Sequence, residues 1–262
     1  VVCRRREVVS LLALCSSAAA VRAQPARRLT IAAASDLRFA LDEALLPFRA
    51  AQRGATVEVI YGSSGKLATQ LRNGAPFDVF MSADIAIARE VQDAGLAAGA
   101  PRVYAIGRLA AWSRNAELGR LPLAALVRDA RVTRFAIANP EHAPYGQRAM
   151  QALQSQGLQA DAQPKLVLGD NVSQAATFID SGAAQAGLIA HSLVLSPALV
   201  GKGAWTLIPQ AWHDPLEQAL VITRRAASDP LAAAFVHHLE APPTRELLRR
   251  YGFALPEQAQ RN

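Results

Sequence analysis

Short apolar runs along this chain alternate with longer segments whose apolar residues recur at helical spacing. Leu29 to Ser35, LTIAAAS, reads as a buried strand, and the residues after it place Leu37, Leu41, Leu45 and Phe48 on one helical face. The pattern then repeats. TVEVIYGSS reads as a second strand, with Leu67 and Leu71 marking a short helix that ends at Asn73-Gly74. FDVFMSAD reads as a third, with Asp84 as the N-cap of a helix from Ile85 to Ala94.

Arg102 to Arg114, RVYAIGRLAAWSR, reads as one long apolar strand with no clear helix after it, suited to crossing between domains. A second series follows. RFAIANPEHAPYG runs into a helix from about Gln147. PKLVLGD runs into NVSQAATFID, and AQAGLIAHS is a further strand. EQALVITRRA is the last strand, before a helix from Pro230 to Glu240 and a short helix carrying RELLRRYGF. The prolines at Pro197 and at Pro242-Pro243 read as ordinary connections.

Strand and helix in alternation predict an α/β protein of mostly parallel sheets flanked by helices. Two such series, joined by long strands near residues 105 and 220, predict two lobes with a ligand cleft between them. The expected division is lobe 1 over 26–105 plus 217–262 and lobe 2 over 106–216.

The first 23 residues do not belong to that pattern. An arginine cluster at Arg4 to Arg6, an apolar run from Val8 to about Val21 and small residues before Ala23 read as a secretory signal peptide over residues 1–23. Cys15 is where a lipoprotein would carry its lipid, but Leu14 stands where a small residue is needed, so a soluble, unanchored protein of the periplasm is expected. Both cysteines, Cys3 and Cys15, fall in this leader. The remaining chain would then hold none, which rules out thiolate chemistry, cysteine metal sites and disulfides.

The leader also changes the charge. The net charge is +7, of which the leader's four arginines and one glutamate account for +3, leaving +4. The other arginines are scattered, with no basic run or RNA-binding motif, so no nucleic-acid partner is expected. With 51% hydrophobic and 19% charged residues, the composition suits a globular core rather than a solvated chain.

Ligands of open α/β sheets collect beyond the carboxyl ends of the strands, where helix N-termini present unpaired N–H groups. Four such junctions carry similar chemistry: Ala34-Ser35-Asp36, Gly62-Ser63-Ser64-Gly65, Ala143-Pro144-Tyr145-Gly146 and Asp170-Asn171-Val172-Ser173. Two belong to each predicted lobe. Closing the cleft would gather hydroxyls and N–H groups around one ligand, an arrangement suited to an oxyanion. Each junction also has a local explanation, because Ser35, Ser64 and Asn171 are ordinary N-cap residues.

Other chemistries fit less well. YGSSGK looks like a shortened phosphate loop, but Ile60 stands where the first glycine belongs and Leu67 where the magnesium-binding hydroxyl belongs. Ser63 and Lys66 have the Ser-x-x-Lys spacing of a serine hydrolase, without the Lys-Thr-Gly and Ser-Asp-Asn elements that accompany it. His142 lies in the proposed ligand loop just before Ala143, where it is expected to help shape that loop. His191, His213, His237 and His238 form no zinc-binding spacing. Asp78 and Asp84 flank a strand and read as loop-orienting or capping residues.

Taken in order, AAASDL, GSSGKLATQLRNGAPFDVFMSAD, ANPEHAPYG, GDNVSQA and RRYGF resemble the periplasmic molybdate-binding proteins of molybdate ABC transporters, from about Leu29 to Phe253. The resemblance implies a type II periplasmic binding protein fold, closing on molybdate or tungstate and delivering it to an inner-membrane permease. It further implies a monomer without enzymatic activity, cofactor or metal-ion ligands. By position it makes Ser35 and Ser64 hydroxyl ligands, and Tyr145 and Val172 backbone N–H ligands, with Asp36 and Ser63 as backbone donors. One departure stands out. Where some members place a ligand-contacting tyrosine, this chain has Ala190, next to His191, and Tyr145 is the expected substitute through its phenol or its backbone.

Three expectations follow for the side chains. A buried carboxylate facing the site would repel a dianion, so those of Asp36 and Asp170 should point away. Lys66 should lie on its helix surface. Selection against sulfate should rest on cavity size, leaving sulfate, phosphate or another small anion as the alternative ligands.

Overall fold

The computed structural model describes residues 27–256, so the leader expected over residues 1–23, with both cysteines, lies outside the described residues. The chain first lays down β1 (Arg27–Ala34), β2 (Ala55–Gly62), β3 (Val79–Ser82) and β4 (Arg102–Gly107). Helices α1 (Arg38–Ala51), α2 (Ser64–Arg72) and α3 (Ile85–Asp93) connect them. A second set follows: β5 (Leu109–Ser113), β6 (Phe135–Ala138), β7 (Leu166–Gly169), β8 (Ala186–Ala190) and β9 (Ala204–Leu207). Its helices are α4 (Ala116–Gly119), α5 (Leu123–Arg128), α6 (Pro144–Ser155), α7 (Gln159–Ala162), α8 (Val172–Asp180) and α9 (His191–Val194). β10 (Leu216–Ile222) then returns to the first set, followed by α10 (Pro230–Glu240) and α11 (Pro242–Arg250).

Two five-stranded sheets result, ordered β2-β1-β3-β10-β4 and β7-β6-β8-β5-β9. β1 pairs in parallel with β2 and β3, and β6 with β7 and β8. The fourth strand of each order, β10 or β5, is antiparallel to both neighbours. These are the strands that follow the two crossings. Each enters its sheet at the cleft end, so it runs away from the cleft while its neighbours run toward it.

Runs such as Leu29 to Ala34 lack polar alternation because both faces of the sheet are covered. Leu29, Ile31 and Ala33 pack with α1, α10 and α11, whereas Ala32 packs with α2 and α3. The second sheet has a core built on Trp112 and Phe135, which also takes in Ala34, Ala83 and Leu216 from the first lobe's cleft end.

Several sequence expectations change. The single strand read over Arg102–Arg114 is two strands in different sheets, broken at Arg108. The break follows Gly107, where a Cβ would meet the Tyr145 hydroxyl at 2.4 Å and the Gln218 amide at 2.9 Å. The division drawn between 105 and 106 falls inside β4, and the one between 216 and 217 falls inside β10. α4, α5 and β9 were not foreseen, being too short to show a period. α6 starts at Pro144, earlier than Gln147, and Pro242-Pro243 begin a helix instead of a loop. Proline suits the first turn of a helix, where its missing N–H has no intrahelical acceptor to lose.

Candidate functional site

The carboxyl ends of β1, β2, β6 and β7 and the helical turns after them meet between the lobes. Ser35, Asp36, Ser63, Ser64, Tyr145 and Val172 line one small pocket there. All six residues expected from the sequence are thus brought together. The space is small and walled by short side chains and helix starts, which favours a compact ion over an organic ligand.

Neither serine is a cap. The N-cap positions are Ala34 and Ser63, and neither makes a side-chain capping bond. Ser35 and Ser64 come one residue later, as the first helical residues, where Cβ tilts back toward the helix N-terminus and hence toward the pocket. Ser64 Oγ accepts the Ala83 N–H at 2.9 Å. Ser35 Oγ accepts the Ser173 N–H at 3.4 Å, while the Ser173 hydroxyl donates to the Ser35 carbonyl at 2.9 Å. A hydroxyl that accepts from the backbone keeps its own hydrogen for another partner.

The second lobe presents backbone. Val172 is the first residue of α8, and Tyr145 follows Pro144 at the start of α6, so their N–H groups have no intrahelical acceptors. Asn171 does cap α8, accepting from Gln174 N at 3.1 Å, and Asp84 caps α3 as expected, accepting from Ala86 N at 2.8 Å. Three helix N-termini, of α2, α6 and α8, converge on the pocket with their positive dipole ends.

Asp36 corrects an expectation. Its carboxyl does not turn out of the cleft but is fully buried at the junction of the lobes, where Tyr145 Oη donates to Oδ2 at 3.1 Å and Gln218 Nε2 donates to the same oxygen. Tyr104 Oη donates in turn to Gln218 Oε1 at 2.9 Å. Burial pushes the Asp36 carboxyl up to about 6, against the opposing effect of Gln218, Tyr145 and the N–H groups of Asp36 and Leu37. Burial first, and then the Asp36 charge, hold both tyrosines well above 10. The Tyr145 phenol already has Asp36 as its acceptor, so of the two contacts expected from Tyr145 the backbone N–H is the free one.

The rim is closed by contacts between the lobes. Ser63 Oγ, expected only as a neighbour, bonds His142 Nδ1 at 2.8 Å, and Gly65 N donates to His142 O at 3.0 Å. Lys66 is about half exposed on its helix but is not a free surface lysine, since its Nζ meets Asp170 Oδ1 at 2.8 Å. That pairing turns the Asp170 carboxylate out of the pocket, as expected, and holds it below the usual carboxylate range. Ser63 and Lys66 each take a partner in the opposite lobe, so they form no nucleophile–base pair. Ala190 ends β8 opposite Leu109, and the His191 ring packs on Trp205 with centroids 4.6 Å apart, so neither lines the pocket.

Gln218, Tyr104 and Ala83 were missed in the sequence. Gln218 left one trace, an uncharged polar residue inside an apolar strand, and it is fully buried. Among the described residues, no group of three or more His, Cys, Asp or Glu side chains stands ready to hold a metal ion.

Two sheets joined by crossing strands, closed over a small pocket of neutral donors, define a two-lobe solute-binding protein. Residues 29–254 match the family of bacterial extracellular solute-binding proteins, and the chain belongs to that family, whose members are binding proteins and not enzymes. It is 36% identical over 201 residues to the molybdate-binding protein ModA of Rhodobacter capsulatus, covering 76% of this chain and 78% of that one. It is 34% identical over 204 residues to the ModA of Azotobacter vinelandii, covering 77% and 80%. The solved structure of the Azotobacter vinelandii periplasmic molybdate-binding protein superposes with a TM-score of 0.80 at 31% identity, covering 87% of this chain and 99% of that one. The sulfate-binding protein SubI of Mycobacterium tuberculosis shares the fold, with a TM-score of 0.71 at 15% identity, covering 89% and 88%.

Proposed function

We propose that this protein captures molybdate or tungstate in the periplasm and delivers it to an inner-membrane ABC permease. One observation carries the reading: the Ser35 and Ser64 hydroxyls line the pocket, accept backbone N–H groups and keep their own hydrogens for a ligand. Ser35 and Ser64 donate through Oγ, Tyr145 and Val172 through N–H, and the N–H groups of Asp36 and Ser63 complete a set of about five to seven donors. Each charge-assisted bond contributes roughly 1.5–3 kcal/mol net.

The names of the relatives favour molybdate over other tetrahedral anions. Tungstate shares its charge and size, and sulfate is smaller, so donors fixed around the larger ions would leave sulfate with stretched bonds. Delivery follows from closure. The contacts from Ser63, Gly65 and Lys66 exist only when the lobes meet, so a permease can distinguish loaded from empty protein by shape. The protein acts as a monomer, needs no cofactor, and reaches the periplasm through its leader.

Thermal-shift measurements with molybdate, tungstate, sulfate and phosphate test the proposal. Stabilisation by molybdate and tungstate alone is the expected result. Stabilisation by sulfate or phosphate without molybdate would reverse the ligand assignment.

A further inference from the structure

We infer that Asp36 is protonated in the ligand-bound protein, so that the pocket takes up its oxyanion together with one proton from solvent. The inference rests on the oxyanion reading of the pocket and adds a chemical requirement to it.

Among the described residues, Asp36 is the only carboxylate in the pocket wall, and no lysine, arginine or histidine lines it. Its Oδ2 already receives Gln218 Nε2 and Tyr145 Oη, whereas Oδ1 is buried and, among the described residues, receives no well-aligned hydrogen bond, only the weaker pull of the nearby Asp36 and Leu37 N–H groups. A dianion placed beside this carboxylate would put two like-charged groups in one desolvated site, and such a pair cannot stay fully ionised without a strong rise in one pKa. The free carboxyl is already raised to about 6. Protonation at Oδ1 removes the repulsion, leaves both bonds to Oδ2 intact, and turns an unpaired acceptor into a donor.

Beyond the helix N-termini already described, the side chains packed around Asp36 carry no positive charge to offset it. Tyr145 faces it from α6 and Tyr104 lies behind Gln218 from β4, both neutral at physiological pH. Gln218 from β10 is an amide, and the Ser192 hydroxyl from α9 donates to the Asp36 carbonyl at 2.8 Å. Ser173 from α8 bonds Ser35. The neighbouring His191 ring is turned to Trp205, while Lys66 and His142 stand at the rim, engaged with Asp170 and Ser63. Proton uptake at Asp36 is therefore the available way to neutralise the wall.

Isothermal titration calorimetry of molybdate binding to the whole protein, in buffers of different ionisation enthalpy between about pH 6 and 9, counts the protons taken up. Molybdate itself stays fully ionised over this range. The expected result is uptake rising toward one proton per anion, with Kd increasing by up to about tenfold per pH unit at the alkaline end. Asp36→Asn should bind without proton uptake and with a flat pH profile. Wild-type binding with no proton exchange would overturn this inference and leave the ligand assignment standing. Uptake that persists in Asp36→Asn but disappears in His142→Gln would overturn the assignment to Asp36. Failure of every oxyanion to bind would overturn the reading of the pocket, and this inference with it.

Discussion

Gly65 and His142 meet backbone to backbone across the cleft, with the Gly65 N–H donating to the His142 carbonyl at 3.0 Å. A Cβ on residue 65 would lie 2.7 Å from that carbonyl oxygen and 3.1 Å from the His142 Cα, so the closed lobes require glycine there. Gly65→Ala should hold the lobes apart and weaken anion binding by about 1–3 kcal/mol, the usual penalty for overpacking. Each lobe should still fold, since the clash arises only where the lobes close on each other. Calorimetry combined with solution scattering of the loaded protein checks both points.

Ser64 Oγ lies between the Ala83 N–H and the pocket. Ser64→Ala should weaken binding by about 1–3 kcal/mol through loss of a donor. It should also destabilise the empty protein, because the Ala83 N–H loses its buried acceptor. Parallel ligand titrations and urea melts separate the two effects, and unchanged affinity would remove Ser64 from the ligand set.

Arg148 on α6 and Asp84 at the start of α3 form an ion pair between the lobes, with both side chains about nine-tenths buried. Removing one partner leaves the other charge buried and unpaired, so Arg148→Ala should destabilise the closed state by about 3–5 kcal/mol. Arg148→Ala combined with Asp84→Asn should recover part of that loss. Chemical denaturation of the three proteins in saturating ligand measures it.

Lys66 and Asp170 sit at the solvent edge of the same interface. Exposed pairs contribute little and are screened by salt. Lys66→Ala should therefore speed ligand release modestly at low ionic strength and have no effect at high salt. Stopped-flow release rates across a salt series check this.

Stability of the empty protein should respond to pH in two opposed ways. Asp36 has a raised native pKa, so its contribution is present below the unfolded value of 3.8 and is lost as pH rises through about 6. Asp36→Asn should accordingly stabilise the apo protein at about pH 8, by on the order of 3 kcal/mol, with the gain shrinking toward acid pH. His142, His191 and His213 are all held below 6.5, chiefly by burial, so their contribution is present above 6.5 and lost as pH falls through their native values. Urea melts from acid to mildly alkaline pH resolve both limbs.

Local chemistry was the legible part of the site. A serine at a strand-to-helix junction is visible in sequence, and Ser35, Ser64, Tyr145 and Val172 all reach the pocket. Whether Ser35 and Ser64 cap their helices or face the ligand turns on a single residue of helix phase, which periodicity does not resolve. The bonds that join the lobes were out of reach for another reason. Gln218 meets Asp36 across 182 positions and Lys66 meets Asp170 across 104, and no short-range pattern encodes such a separation. The direction of β5 and β10 was hidden too, because an apolar run reads the same for a parallel or an antiparallel strand.

The place of β10, between β3 and β4, also bears on how the protein is made. All strands of the second sheet lie within residues 109–207, so that lobe is complete in one stretch of chain. The first sheet has a gap at its fourth position until residues 216–222 arrive to join β3 to β4. A polypeptide emerging from its N-terminus carries Ser35 and Ser64 early but has no finished wall to hold them. It becomes able to trap an anion only after most of its length is free, so a partly made copy is an unfinished vessel that cannot yet close.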